Sequence, residues 1–315
     1  MQIITDINKA PHEPLAITVG FFDGVHRGHR FMLDTLKQIA GEKGLKTAVL
    51  TFKDHPRKAL KSDFIPELLT TADERIALLA EMDIDYCVLL DFTPEIWNLT
   101  AETFIKTVLH KQLNVSVLLI GYDNRIGKDR TDSIEHYIQY GKEVGMSVLE
   151  AEEMYCEGKQ VSSSEIRRLM NEGDMVIVNK LLGKNYCLEG KVVHGNHIGK
   201  TLGYPTANLQ VNGDKKIPPR GVYAVWVNVG GKRYKGMLNI GVRPTVMPDS
   251  QTYSIEVSII DFEKDIYNET LTVEFVKKLR DEKKFDNLTA LSEQLEKDRK
   301  ETVAIVDKYT NQHDI

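Results

Sequence analysis

The sequence predicts a parallel α/β domain followed by a small antiparallel β-barrel that ends in a C-terminal helix. Three observations carry this expectation. Up to about residue 150, short continuous apolar runs alternate with segments of helical periodicity, the pattern of strands covered on both faces. From about residue 186 the pattern changes to period-two strands with glycine-rich or polar connections. The last segment, residues 288–309, is charged and amphipathic, with Leu291, Leu295, Val303 and Ile305 available for packing.

Taken in order, strands are expected near residues 14–20, 46–52, 85–91, 115–121 and 146–150, with helices between them. The first helix begins at Arg27, where Phe31, Leu33, Leu36 and Ile39 alternate with polar residues. Right-handed crossovers would gather the strand ends along one edge and bring Asp23, His26, His55 and Asp123 to one crevice. Residues 165–182 read as one helix stopped by Gly183, so the domains are placed at 1–183 and 184–315. Beyond that, strands are expected over 222–229, 235–240, 253–260 and 271–275.

At 315 residues the chain is long enough for two cores, and 42% hydrophobic with 28% charged residues is a globular balance. A net charge of -5 gives no general pull toward nucleic acid or anionic lipid, so recognition of phosphate must be local. The three cysteines, Cys87, Cys156 and Cys187, show neither disulfide nor metal-ligand spacing, which points to a reducing compartment. No run approaches the roughly 20 apolar residues of a membrane helix, and the first residues do not read as a signal peptide. A cytoplasmic protein without membrane or nucleic-acid partners is expected, and a homo-oligomer is allowed.

The most informative stretch is residues 18–29, where an apolar strand runs into a turn marked by Gly20, Gly24 and Gly28, with His26 and His29 at His-x-Gly-His spacing. Glycines let backbone approach a ligand, N–H groups at a helix start face an anion, and two imidazoles can donate to phosphate oxygens. A tight turn with surface histidines is the plainer alternative. Ser162, Ser163 and Ser164 with Arg167 form a second hydroxyl-rich helix start, although serines there also serve as ordinary caps. Residues 121–130 follow a strand and mix Asp123 with Arg125, Lys128 and Arg130. In the second half, Gly199, Lys200 and Gly203 lead into Pro205-Thr206-Ala207-Asn208, and Glu256 shares a strand face with Ser254 and Ser258.

Together these motifs resemble the bacterial bifunctional riboflavin kinase/FMN adenylyltransferase family, and the resemblance spans nearly the whole chain. It implies a Rossmann-like nucleotidyltransferase domain in which FMN phosphate attacks the α-phosphorus of ATP, giving FAD and pyrophosphate. By that resemblance Gly20, Asp23, Gly24, His26, His29, Asp123, Ser162, Ser163 and Arg167 bind ATP, and the two histidines stabilise the transition state. In the barrel it implies ATP binding by Gly199, Lys200, Gly203, Thr206 and Asn208. Thr206 and Asn208 hold Mg²⁺, and Glu256 is the base that accepts the proton of the riboflavin 5′-hydroxyl. Arg280 is carried as a flavin contact, and residues 239–245 match a further family segment. The chain departs from the family pattern at Phe21, where Asn is usual, and at Asn124 and Ile126, where phenylalanines are usual. Two other readings are therefore kept: a riboflavin kinase alone with a weakened adenylyltransferase, and a flavin-responsive RNA-binding regulator.

Overall fold

The computed structural model describes residues 1–59, 67–128, 131–194, 204–211, 214–242 and 253–313. By contacts the chain divides into two compact units, Met1–Ser163 and Ser164–Ile315.

The first unit is a six-stranded parallel sheet: β1 (Gln2–Ile4), β2 (Leu15–Val19), β3 (Lys46–Phe52), β4 (Tyr86–Leu90), β5 (Val115–Ile120) and β6 (Ser147–Glu150). They lie in the order β1-β4-β3-β2-β5-β6. Its helices are α1 (Arg27–Lys43), α2 (Ala72–Ala80), α3 (Ala101–Thr103, widened to π geometry over Phe104–Gln112) and α4 (Ile134–Glu143). Both faces of the sheet are covered, which explains the unbroken apolar runs. Leu15, Ile17 and Val19 of β2 enter one core with Phe104, Val108 and Tyr137, while Ala16 enters the other with Leu33, Leu36 and Leu79. The chain leaves β2 for β3 on one side and returns to β5 on the other. Such a reversal opens a crevice beyond the strand ends, here between Val19 and Ile120. A short hairpin follows, β7 (Tyr155–Cys156) with β8 (Lys159–Gln160).

The chain passes into the second unit within the first turn of α5 (Ser163–Glu172), which α6 (Met175–Leu182) follows. This corrects the single helix expected over 165–182. Gly173 at φ 80 ends the first helix, and the Asp174 carboxylate caps the second by accepting from the Ile177 N–H. The expected stop at Gly183 is present, with the residue in the left-handed region at φ 75. Asn179 ties α6 to the strands: its amide donates to the Phe275 carbonyl at 2.7 Å and accepts from the Tyr186 N–H at 2.8 Å.

Six antiparallel strands then close a barrel in the order β10-β13-β12-β11-β14-β9. They are β9 (Cys187–Val193), β10 (Ala207–Val211), β11 (Gly221–Val229), β12 (Lys232–Val242), β13 (Tyr253–Ile259) and β14 (Thr270–Arg280). Val225, Val227, Leu238, Ile240, Val257, Val273 and Phe275 are inaccessible or nearly so and fill the closed interior. The last helix, α7 (Leu288–His313), packs Val306, Ile305 and Tyr309 on Ala224, Trp226 and Val276. Among the described residues, no helix is long and apolar enough to cross a membrane.

Candidate active sites on the two units

In the first unit the expected turn sits at the end of β2, at the mouth of the crevice. Its backbone is unusual: Phe22 and Gly24 hold positive φ at 57 and 83, and Val25 follows at 40. For an aromatic and a β-branched residue this conformation is costly and needs support from outside the turn. Asp23 supplies part of it. Its buried carboxylate accepts the N–H groups of Leu69 and Thr70 and the Thr70 hydroxyl at 2.9, 3.0 and 3.0 Å. Thr70 in turn accepts the Gly24 N–H at 2.9 Å. Asp23 therefore fastens the turn to the segment before α2, a partnership that sequence spacing cannot show.

His26 is the N-cap of α1, and its Nδ1 accepts the His29 N–H at 3.3 Å. That bond makes Nδ1 the acceptor and leaves the ring proton for Nε2. The His26 and His29 rings stack with centroids 3.6 Å apart at 14°. His29 is half-buried overall, but its Nδ1 is sealed from solvent and has no hydrogen-bond partner. Burial first, and the neighbouring His26 second, push the His29 pKa well below the ordinary imidazole value. The stacked pair thus stands at the start of a 17-residue helix, where N–H groups already favour an anion.

This arrangement sets a pH dependence. His29 binds its proton more weakly folded than unfolded, so its contribution is present above the unfolded value of about 6.5 and lost as pH falls below it. The thermal midpoint of the ligand-free protein is expected to drop between pH 7.5 and 5, and His29→Gln to flatten that drop; a slope unchanged by the substitution would contradict the assignment.

The other candidate residues of the first unit fall around the same edge. Ser163 donates to the Asp23 carbonyl at 3.0 Å, and a side chain at Gly28 would meet the Val161 carbonyl at 3.0 Å, so the serine-rich segment packs on the start of α1. Gly20 is close to the Phe22 ring, 3.1 Å from where a Cβ would stand. Asp123 is exposed in the loop after β5, and the neighbouring Asn124 amide donates to the Val19 carbonyl, linking the loop to the end of β2. Phe21 contacts the His55 ring, edge-on at 4.7 Å, and the guanidinium of Arg75, 4.1 Å from the ring centre. Ile126 is buried, and its N–H donates to the Tyr137 hydroxyl at 3.0 Å. Arg167 belongs to α5 of the second unit.

In the barrel, strand register assembles a row that spacing alone does not reveal. Asn208 on β10 stands opposite Glu256 on β13, and Glu256 stands opposite Asn239 on β12. Directly paired residues share a sheet face, so one carboxylate is flanked by two amides on the outer wall. The alternate residues Ile255 and Val257 point inward to the core. Ser254 donates to Glu256 Oε1 at 2.8 Å, orienting the carboxylate. Next to this row lies Gly241, where a Cβ would stand 2.6 Å from Glu282 Oε1 and 3.5 Å from Asn239 Nδ2. Asn239 and Glu282 thus lie beside this row, and sequence reading gave neither of them a role of its own. Thr206 is half-buried and Asn208 buried, and the preceding Tyr204 donates to Glu296 of α7 at 2.8 Å.

Arg280, at the end of β14, is tied down. Its Nε and Nη2 reach the buried Asp298 carboxylate of α7, the shortest bond being 2.7 Å, and Nη1 donates to the Asp281 carbonyl. A flavin could meet only the flat face or remaining edge of this guanidinium. Gly199, Lys200 and Gly203 lie outside the described residues.

Among the described residues no group of three His, Cys, Asp or Glu could hold a metal ion. The donor set at the barrel site is instead a hydroxyl and an amide. Neutral oxygens of this kind fit Mg²⁺ that arrives with ATP and takes most of its ligands from phosphate and water.

Two family models match the chain, FAD synthetase over residues 8–165 and riboflavin kinase over 182–306. Full-length relatives are the bifunctional riboflavin kinase/FMN adenylyltransferases of Listeria monocytogenes, Bacillus subtilis and Escherichia coli K12. They are 37%, 36% and 35% identical, covering 96%, 91% and 94% of this chain and 94%, 91% and 94% of theirs. A crystal structure described as a macrolide-efflux protein from Streptococcus pneumoniae superposes with a TM-score of 0.86 at 31% identity, over 96% of this chain and 98% of that one.

Proposed function

Because the chain belongs to the bifunctional riboflavin kinase/FMN adenylyltransferase family, we propose that the residues assembled above carry out its two reactions, one in each half. The protein phosphorylates riboflavin to FMN with its C-terminal half and adenylylates FMN to FAD with its N-terminal half. The observation that carries the residue assignment is the presence of two separate polar constellations on two folds: a capped histidine stack beside a sheet crevice, and a Glu256 flanked by amides on a barrel wall. Two reactions at different phosphorus atoms of ATP need two such places. The functional boundary is assigned to 183/184, at the glycine stop of α6.

In the first half, an oxygen of the FMN phosphate attacks the α-phosphorus of ATP and pyrophosphate leaves. No side-chain proton has to move, so positioning and charge stabilisation carry the rate. His26 donates from Nε2, His29 lies stacked beneath it, and the start of α1 offers N–H groups to the phosphates. Gly20 and Gly24 keep the turn close to the nucleotide. Asp23 acts by holding the turn, Asp123 lies beside the crevice, and Ser162, Ser163 and Arg167 are assigned to the leaving phosphates. In the barrel, Glu256 takes the proton of the riboflavin 5′-hydroxyl as that oxygen attacks the γ-phosphorus, and ADP leaves. Thr206 and Asn208 would hold Mg²⁺, which would supply positive charge against the phosphates of ATP. Gly199, Lys200 and Gly203 are assigned to the ATP phosphates, and Arg280 to the flavin end through the face of its guanidinium. Riboflavin, FMN and ATP are the substrates, and we place the protein in the cytoplasm.

The test is to give purified protein MgATP with riboflavin, and separately with FMN, and to resolve the flavins by chromatography. FMN and FAD are expected from the first and FAD from the second. FMN from riboflavin with no FAD in either tube would leave only the kinase.

A further inference from the structure

Arg75 of α2 has no exposed surface, yet it carries a guanidinium whose Nε and Nη1 are buried without hydrogen-bond partners among the described residues. Only Nη2 is bonded, to the carbonyls of Phe52 at 2.6 Å and Lys53 at 3.2 Å, where β3 ends. Burial pulls its pKa below the ordinary arginine range, with the charge of Asp23 pushing back. Sealing a cation with unmet donors is expensive, and an apolar side chain of similar volume would ordinarily be cheaper at such a place.

What Arg75 touches suggests why it is there. Its guanidinium carbon lies over the Phe21 ring, 4.1 Å from the ring centre, and Phe21 immediately precedes the positive-φ turn that leads to His26. The Phe21 ring also meets His55 edge-on, and the Phe21 carbonyl accepts the Thr51 hydroxyl at 3.2 Å. The two carbonyls it binds lead directly into the segment that carries His55. Its charge also offsets Asp23, a buried carboxylate that would otherwise repel phosphates approaching the same turn. A guanidinium can stack and neutralise at once; a lysine keeps the charge and loses the flat face.

We propose that Arg75 is a positioning residue for adenylyl transfer, acting through Phe21 and Asp23 to hold the turn that presents His26 and His29. The inference rests on the adenylyltransferase reading of the first half.

The experiment compares wild type, Arg75→Met, Arg75→Lys, Phe21→Leu and the Phe21→Leu/Arg75→Met double variant. For each, kcat and KM are measured for FMN to FAD and for riboflavin to FMN, and the folded fraction is taken from thermal unfolding. Arg75→Met should lower the adenylylation kcat roughly tenfold to a hundredfold, since misplacement of a catalytic group by an ångström costs about that much. The KM values for ATP and FMN should stay within about twofold, as expected for an interaction used in the transition state. Kinase rates should not move, and Arg75→Lys should recover part of the loss. Phe21→Leu should lower kcat by itself, and the double variant should fall less than the product of the single losses, because both act through one contact. If Arg75→Met is too unstable to measure, Arg75→Lys and Phe21→Leu with their double variant take its place in the same comparison. An unchanged kcat per folded molecule, or losses that multiply fully, would overturn the proposal. Wild type that makes no FAD from FMN would overturn the reading beneath it, and the inference with it.

Discussion

Replacing His29 with alanine is expected to cut FAD formation from FMN by roughly a hundredfold to a thousandfold, the usual cost of losing a preorganised donor at a developing charge. FMN formation from riboflavin should be unaffected in the same preparation. The ring that disappears is half of a stack with centroids 3.6 Å apart, and it lies next to the Phe22 ring at 5.1 Å. Its loss removes a neutral imidazole already oriented by its neighbours, and it frees His26 to leave its capping position. Water cannot substitute for it, because a water in the vacated space would have to be reoriented as charge develops. His29→Asn, which restores a donor without the stack, should recover only part of the rate. Activities of the two halves measured on one sample make the outcome decisive: equal loss of both, or intact FAD synthesis, would remove His29 from its assigned place.

Much of the architecture was legible because it follows from burial. Strands covered on both faces must be apolar throughout, so β2, β3 and β5 stand out, and the period-two segments lie where a barrel wall has one face in and one out. The three-residue β1 escaped because two of its residues are exposed and it pairs only at the sheet edge, against β4. The break between α5 and α6 is written in Gly173 and Asp174, but the apolar periodicity continues across it and conceals it. At the sites, the residues that meet phosphate on the proposed reading were visible as motifs, whereas those that hold them were not. Arg75 reads as one more charge in an acidic-basic helix, and only the tertiary packing seals it under Phe21. Asp23 reads as a ligand of the turn, and the structure commits its carboxylate to Leu69 and Thr70. The alignment of Asn208, Glu256 and Asn239 depends on register between strands far apart in sequence, which no local pattern encodes. The departures at Phe21 and Asn124 have local partners as well. One contacts both Arg75 and His55, and the other bonds to the end of β2.

Glu256→Gln should remove riboflavin phosphorylation by roughly a hundredfold to ten-thousandfold, the range for loss of a positioned general base, while FMN supplied directly is still converted to FAD. The substitution is chosen because it keeps the shape and leaves hydrogen-bonding atoms between the two facing amides, so the barrel strands have no reason to shift register. Only the ability to accept a proton is lost. If Glu256 acts as proposed, the loss falls on kcat and the KM for riboflavin and ATP changes little. Asn208→Ala makes the contrasting case. It removes an oxygen assigned to Mg²⁺ and should therefore depress the kinase in a way that added Mg²⁺ partly restores, which Glu256→Gln cannot show. The two variants together separate proton transfer from phosphate neutralisation within one site. A Glu256→Gln protein with near-normal kcat would mean that the hydroxyl proton leaves by another path, and the row of Asn208, Glu256 and Asn239 would then serve to bind rather than to react.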